Sequence, residues 1–303
     1  MEEVKKTKKK RFRKSADCGI LAKHQGADKI LFTIVFVIFL IHSITLIFPF
    51  LWMFMSSLKE ANEYLLGDSF ALPEVLLFSN YIRAFSSLNM PDATFMELLF
   101  NSLWYTVLSS GFACFMPCVT GYVLSKYKFK GRDFIYAVAI TALTLPIVGT
   151  SASLMKLVSE LGIHNTPLYV VVMGLGGFGG SFLVYYGFFK SVSWAYAEAA
   201  EIDGGGPYTI FFKIMLPQAV PVIMTYFITS AIGYWNAYES IILWLPDYPT
   251  IASGLFEYKE NYARNDYPLY FAGLILSMIP TFTIFAIFSD KIMTSISVGG
   301  LKG

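Results

Sequence analysis

The sequence predicts an all-α membrane protein with six transmembrane helices and both termini on the cytoplasmic side. Three observations point there. Of 303 residues, 55% are hydrophobic and only 15% are charged, where soluble domains carry roughly 45–50% apolar and about 25% charged residues. Six apolar stretches are each long enough to cross a hydrocarbon core of roughly 30 Å, which takes about 20 helical residues. The Lys and Arg residues collect on one side of those stretches, as they do on the cytoplasmic side of membrane proteins.

The stretches run over residues 30–56, 98–124, 134–158, 167–189, 217–245 and 268–292. On a six-span path, eighteen of the 23 Lys and Arg residues share a side. Ten precede the first span, and Lys126, Lys128, Lys130 and Arg132 lie between the second and third. Lys190 and Lys213 lie between the fourth and fifth, and Lys291 and Lys302 at or past the end of the sixth. Only Lys59, Arg83, Lys156, Lys259 and Arg264 fall on the other side, among acids such as Glu60, Glu63, Glu257 and Asp266. Five or seven spans would scramble this division. The expected organisation is a basic cytoplasmic tail over 1–29, a membrane domain over 30–293 that includes cytoplasmic helices at 193–215, and a cytoplasmic tail over 294–303. The basic run next to the first span fits positive-inside orientation and contact with anionic membrane lipid, not a nucleic-acid arm. The apolar segment behind it is too long for a signal peptide.

Several chemistries are not expected. No Gly-x-x-x-x-Gly-Lys-Ser/Thr loop is present to cradle phosphates, so the chain itself should bind no ATP or other cofactor. His24, His42 and His164 lack metal-ligand spacing, and no metal site is expected. Gly149-Thr150-Ser151-Ala152-Ser153 lacks the last glycine of a serine-nucleophile elbow, and no catalytic residue stands out. Cys114 and Cys118 share a helix face as small packing residues. Ionisable groups within the spans are few, which disfavours an ion-coupled secondary transporter. Glu239 is the clearest exception, towards the outer end of the fifth span with Trp235 and Asn236. Rings beside hydrogen-bonding groups suit a sugar; the commoner reading of such a mixture is an interfacial aromatic belt with a snorkelling carboxylate. Gly176 and Gly180 form a small-xxx-small pair for close helix contact, while Pro117, Pro146 and Pro280 favour kinks.

The most informative stretch is polar and lies between the fourth and fifth spans. Residues 194–203 favour a helix, Gly204–Gly206 stop it, and Pro207 suits the first position of another. Ile210, Phe211, Ile214 and Met215 then form an apolar stripe, and Leu216-Pro217 is read as the end of this element and the start of the fifth span. Glu198 and Glu201 share a face, and Ala199 and Ala200 leave room for a partner. By itself the pattern fits a docking helix pair or a solvated amphipathic loop.

Glu198-Ala199-Ala200, Gly204, Ile214, Leu216 and Pro217, at this spacing, resemble the signature of permease subunits of binding-protein-dependent ABC importers. Asp203, Phe211 and Pro221 resemble its carbohydrate branch, as do Asn101-Ser102, residues 127–132 and 162–167, and Trp235-Asn236. The closing Gly299-Gly300-Leu301-Lys302-Gly303 resembles that branch too, and the likeness taken together is to its MalG-like members. The resemblance implies the type I importer permease (MetI-like) fold in a bacterial inner membrane. It implies a sugar or oligosaccharide as cargo, with another solute such as a peptide or amino acid as the alternative. The implied partners are a second homologous permease subunit, an extracytoplasmic solute-binding protein, and a cytoplasmic ATPase dimer that uses ATP and Mg. It further implies that Glu198 makes the central polar contact with the ATPase, that the alanines permit close approach, and that Gly204 makes the turn. Residues 299–303 would reach between the ATPase subunits. Gly205 departs from the alanine that is commoner in the family.

Overall fold

The computed structural model describes residues 25–87, 93–145, 149–261 and 263–298, and no strand occurs among them. The basic N-terminal run, Pro146 and the closing 299–303 lie outside the described residues. The chain divides into two units, residues 1–56 and 57–303. The first is dominated by α1 (Gln25–Ser57). Ile30, Phe32, Phe36, Phe39 and Ile47 are all exposed along it, so it is apolar all round, as suits a helix in contact with lipid or another apolar surface.

In the second unit, α4 (Phe95–Lys126) is the axis. A reciprocal cap starts it: the Thr94 N–H donates to Glu97 Oε2 at 2.7 Å, and the Glu97 N–H donates to Thr94 Oγ1 at 3.4 Å. This Thr-x-x-Glu box satisfies amides that the start of a helix leaves unpaired. Pro117 is accommodated inside α4 without ending it.

The expected third and fourth spans are each divided. The third is α5 (Arg132–Thr144) and α6 (Ser151–Glu160); the fourth is α7 (Leu168–Gly174) and α8 (Gly180–Ser191). Gly149, with φ +81°, precedes α6 in the left-handed region that ends α-helical runs. Between α7 and α8 the cause is compositional. Gly174, Gly176, Gly177, Gly179 and Gly180 crowd together, and each interior glycine costs a helix roughly 1 kcal/mol relative to alanine. The loop is held against α4: Thr120 Oγ1 donates to the Gly177 carbonyl at 2.6 Å. A Cβ on Gly177 would lie 2.4 Å from Thr120 Cγ2, so only glycine allows this approach.

The fifth span also differs from expectation. Leu216-Pro217 does not end the polar element, because one helix, α10 (Pro207–Trp235), runs through both. Its first part contains a π-helical turn at Ile210–Met215, in which the Leu216 N–H reaches back to the Phe211 carbonyl. The widened turn lets Pro217, which has no N–H to donate, follow without breaking the helix. Gln218 Nε2 covers the Ile214 carbonyl at 3.0 Å. The apolar segment then stops at Asn236 and resumes as α11 (Tyr238–Trp244). The last span is α13 (Tyr267–Val298). Among the described residues, four helices are long and apolar enough to cross a membrane: Lys29–Ser57, Phe95–Lys126, Pro207–Trp235 and Tyr267–Phe288.

The long segments after the first and fifth spans are not plain connections. They contain α2 (Ala61–Leu66), α3 (Ser79–Ser87) and α12 (Ile251–Asn261). Arg83 Nη2 and Asp266 Oδ2, 2.7 Å apart, join the two segments. Asn101 Nδ2 donates to the Pro249 carbonyl at 3.0 Å, and the buried Ser102 Oγ accepts from the Ile251 N–H at 2.8 Å. The Asn101-Ser102 pair thus fastens the start of α4 to the start of α12. Ser102→Ala removes a buried acceptor at a helix N-terminus and should cost about 1–3 kcal/mol. The expected result is a lower unfolding midpoint in detergent and faster proteolysis within 246–267; an unchanged midpoint would contradict it.

Candidate functional site

The polar stretch folds as a helix, a tight turn and the beginning of α10. The first helix, α9 (Ala195–Ile202), starts with the Ala195 N–H donating to Ser193 Oγ at 3.3 Å. Two backbone bonds close it: Gly204 N–H to the Glu201 carbonyl at 3.0 Å, and Gly205 N–H to the Ala200 carbonyl at 2.7 Å. This pairing requires a left-handed residue just past the helix, and Gly204 has φ +80°. A Cβ on Gly205 would lie 2.8 Å from the Ala200 oxygen, which accounts for glycine where the family pattern favours alanine. Pro207 then opens α10, where its missing donor is harmless.

One face of this element belongs to the core. Ala197 and Ala200 lie with Ile210, Phe211 and Met215 in a single buried cluster with Cys118 and Tyr122 of α4 and Tyr185 and Phe189 of α8. The Tyr122 ring sits 4.8 Å from that of Phe211 and 5.3 Å from that of Phe189, and Tyr127 meets Trp194 edge to face at 6.0 Å. Lys126 Nζ donates to the Val192 carbonyl, tying the end of α4 to the approach to α9. Ile214 and Leu216 are half-buried against the same cluster.

The other face is open. Glu198, Ala199, Glu201, Ile202, Asp203 and Gly204 are exposed, as is Pro217. Tyr196, Tyr208 and Phe212 add exposed rings, and Ile202 is 87% exposed. The two motif alanines therefore differ. Ala199 faces outwards and leaves space there, whereas Ala200 is 9% exposed and its space is taken by the chain's own core. The expected contacts of Gly299, Gly300, Leu301, Lys302 and Gly303 lie outside the described residues.

Trp235, Asn236 and Glu239 are not gathered into one site. Trp235 is buried, and its Nε1 donates to the Ser277 carbonyl of α13 at 3.0 Å. Asn236 ends α10 and donates to its own Ile232 carbonyl at 2.8 Å. Trp235 and Asn236 border a small pocket of about 290 Å³ with Tyr238, Phe256 and Tyr270. Glu239 is exposed and accepts from the Tyr238 hydroxyl at 3.3 Å. A larger cavity of about 560 Å³ lies among α4, the α7–α8 loop and α10, with Tyr105, Ser109, Tyr226, Thr229, Tyr234 and Ser240 in its wall. The sequence reading missed it. The signal was present: Tyr226, Ser230 and Tyr234 recur every four residues along α10, as do Tyr105 and Ser109 along α4, a polar stripe inside apolar helices.

Residues 115–297 match the family model for the binding-protein-dependent transport system inner membrane component. The chain is 28% identical over 264 residues to the diacetylchitobiose uptake system permease protein NgcG of Streptomyces coelicolor, covering 86% of this chain and 85% of that one. It is 27% identical over 273 residues to the arabinooligosaccharides transport system permease protein AraQ of Bacillus subtilis, covering 88% and 94%. A crystal structure of a bacterial ABC transporter involved in the import of the acidic polysaccharide alginate superposes with a TM-score of 0.72 at 21% identity. It covers 88% of this chain and 98% of that chain, and the two share a fold.

Gly204→Ala places a side chain in the left-handed region, and Gly205→Ala drives a methyl into the Ala200 carbonyl. Each should destabilise the α9 end by about 1 kcal/mol or more. Hydrogen exchange should speed up over residues 198–206 in both variants while the N-terminal half of α4 stays protected; unchanged protection at 198–206 would contradict the turn geometry.

Proposed function

The chain belongs to the family of binding-protein-dependent transport system inner membrane components, and on that premise we propose that it is one permease subunit of an ATP-driven sugar or oligosaccharide importer. A second homologous permease completes the pathway, a solute-binding protein delivers cargo to the outer segments, and a cytoplasmic ATPase dimer supplies ATP and Mg chemistry. Carbohydrate as the cargo class is supported by the relatives named for diacetylchitobiose and arabinooligosaccharides. In this reading the divided pairs α5–α6 and α7–α8 each complete one crossing. That gives six spans and cytoplasmic termini, in keeping with the distribution of Lys and Arg.

The observation that carries the proposal is the two-faced coupling element. Its open face offers the Glu198 and Glu201 carboxylates beside Ala199, Ile202 and Tyr208, a mixture of charge, space and apolar surface that suits a protein groove. Its buried face is continuous with α4, α8 and α10. When the ATPase subunits close on ATP, a docked α9 must move with them. The buried face passes that displacement to three membrane helices as a rigid shift. Glu198 makes the polar contact, Ala199 sets the approach distance, Gly204 fixes the turn, and the 299–303 tail reaches the ATPase dimer.

Glu198→Lys reverses charge on the exposed face and touches no core residue. Assembly of the importer should persist, while ATPase activity stimulated by the loaded binding protein falls at least about tenfold, the scale for disrupting one close interfacial charge contact. The assay is ATP hydrolysis and solute uptake in proteoliposomes. Coupling at the unaltered level would refute the docking role.

A further inference from the structure

The 560 Å³ cavity has a chemical character that the coupling element does not explain. Nine of its seventeen lining residues carry a hydroxyl and none carries a charge, so whatever occupies it is recognised by neutral hydrogen bonds. Hydroxyls donate and accept alike, which matches the hydroxyls of a sugar. Its volume lies in the range of roughly 300–1,000 Å³ typical of ligand sites. Rings complete the wall. Tyr105 and Tyr234 stand edge to face with centroids 5.8 Å apart, and Tyr169 is held by stacking on Trp244 at 5.3 Å. Such rings offer apolar faces to the C–H surfaces of a pyranose.

A second observation is that the cavity wall includes unwound backbone. Gly176 and Gly179 in its wall belong to the unwound stretch between α7 and α8. Unwound backbone inside an apolar segment persists only where it is buried in protein or borders water, because its amides and carbonyls must find partners. Thr120 covers the Gly177 carbonyl from α4, and the cavity supplies room for water or cargo beside the neighbouring residues.

We propose that this cavity is a cargo-binding site within this chain itself, selective for uncharged carbohydrate, with the Tyr105, Ser109, Tyr226, Thr229 and Tyr234 side chains as its recognition surface. The proposal rests on the importer reading and specifies its substrate class. A uronate or other carboxylated solute entering here would shed hydration without meeting a cation, whereas a neutral sugar exchanges water for hydroxyl partners. Trp235, Asn236 and Glu239 do not line this cavity.

The test uses the detergent-solubilised assembled importer, with Cys18, Cys114 and Cys118 replaced by alanine and a single cysteine at Ser109→Cys or, separately, Thr229→Cys. The probes are a methanethiosulfonate carrying glucose and the anionic sulfonatoethyl methanethiosulfonate. Rates are normalised to those at the exposed Asp247→Cys. The glucose reagent should react at least about tenfold faster than the anionic one at both positions, the scale expected for uncompensated burial of an anion. A ratio below about threefold, or no modification by either reagent, would overturn the proposal. The importer reading fails separately, if Glu198→Lys leaves ATPase coupling intact, whatever the labelling shows.

Discussion

The structure depends on the burial of Phe211 and two α9 alanines against Tyr122. Without that packing, the segment between α8 and α10 would be a solvated loop, and its exposed carboxylates would have nothing to pull on. With it, α9 and the first turns of α10 share one buried cluster with the C-terminal ends of α4 and α8. Aromatic pairs at 4.8–5.3 Å, as between Tyr122 and its neighbours Phe211 and Phe189, contribute about 0.5–1.5 kcal/mol each beyond their buried area. Close packing also matters more than the sum of such pairs, because well-packed interiors transmit strain and do not absorb it.

The division of the third and fourth spans serves a different end. A continuous helix satisfies its own backbone and needs nothing from its neighbours. A helix interrupted at 175–179 leaves polar groups for which α4 and the adjoining cavity must provide. The glycines that cause the interruption also let the loop approach Thr120, so one compositional feature both breaks the helix and fastens the break. The π-helical turn at Ile210–Met215 is the opposite solution: the helix widens, Pro217 is tolerated, and the polar element runs on into an apolar helix without a joint.

Much of this was legible in the sequence. Length and hydropathy placed the helical segments, and glycine and proline placed the turn at 204–207. Other features depend on distant partners. Ala199 and Ala200 are chemically identical and adjacent, and only the position of Tyr122 and Phe211 decides which of them is buried. Trp235 fits either a stacking ring or an aromatic belt by sequence, and its bond to the Ser277 carbonyl of α13, across 42 positions of sequence, is set by a distant partner. The cavity went unnoticed because tyrosine, serine and threonine scarcely disturb an apolar average, although their fourfold spacing along α10 was present. Continuity through Leu216-Pro217 was missed because proline was taken as a boundary, when a widened turn accommodates it.

The central claim is that α9 and the C-terminal end of α4 move as one body. Spin labels at Tyr196→Cys on α9 and Lys128→Cys, two residues past the end of α4, both exposed positions, report their separation by pulsed electron resonance in the assembled importer. The account predicts that this distance changes by less than about 2 Å between the nucleotide-free and ATP-trapped states, within the range of small helix adjustments. A change of several ångströms would mean that α9 swings free of α4, and would contradict the account.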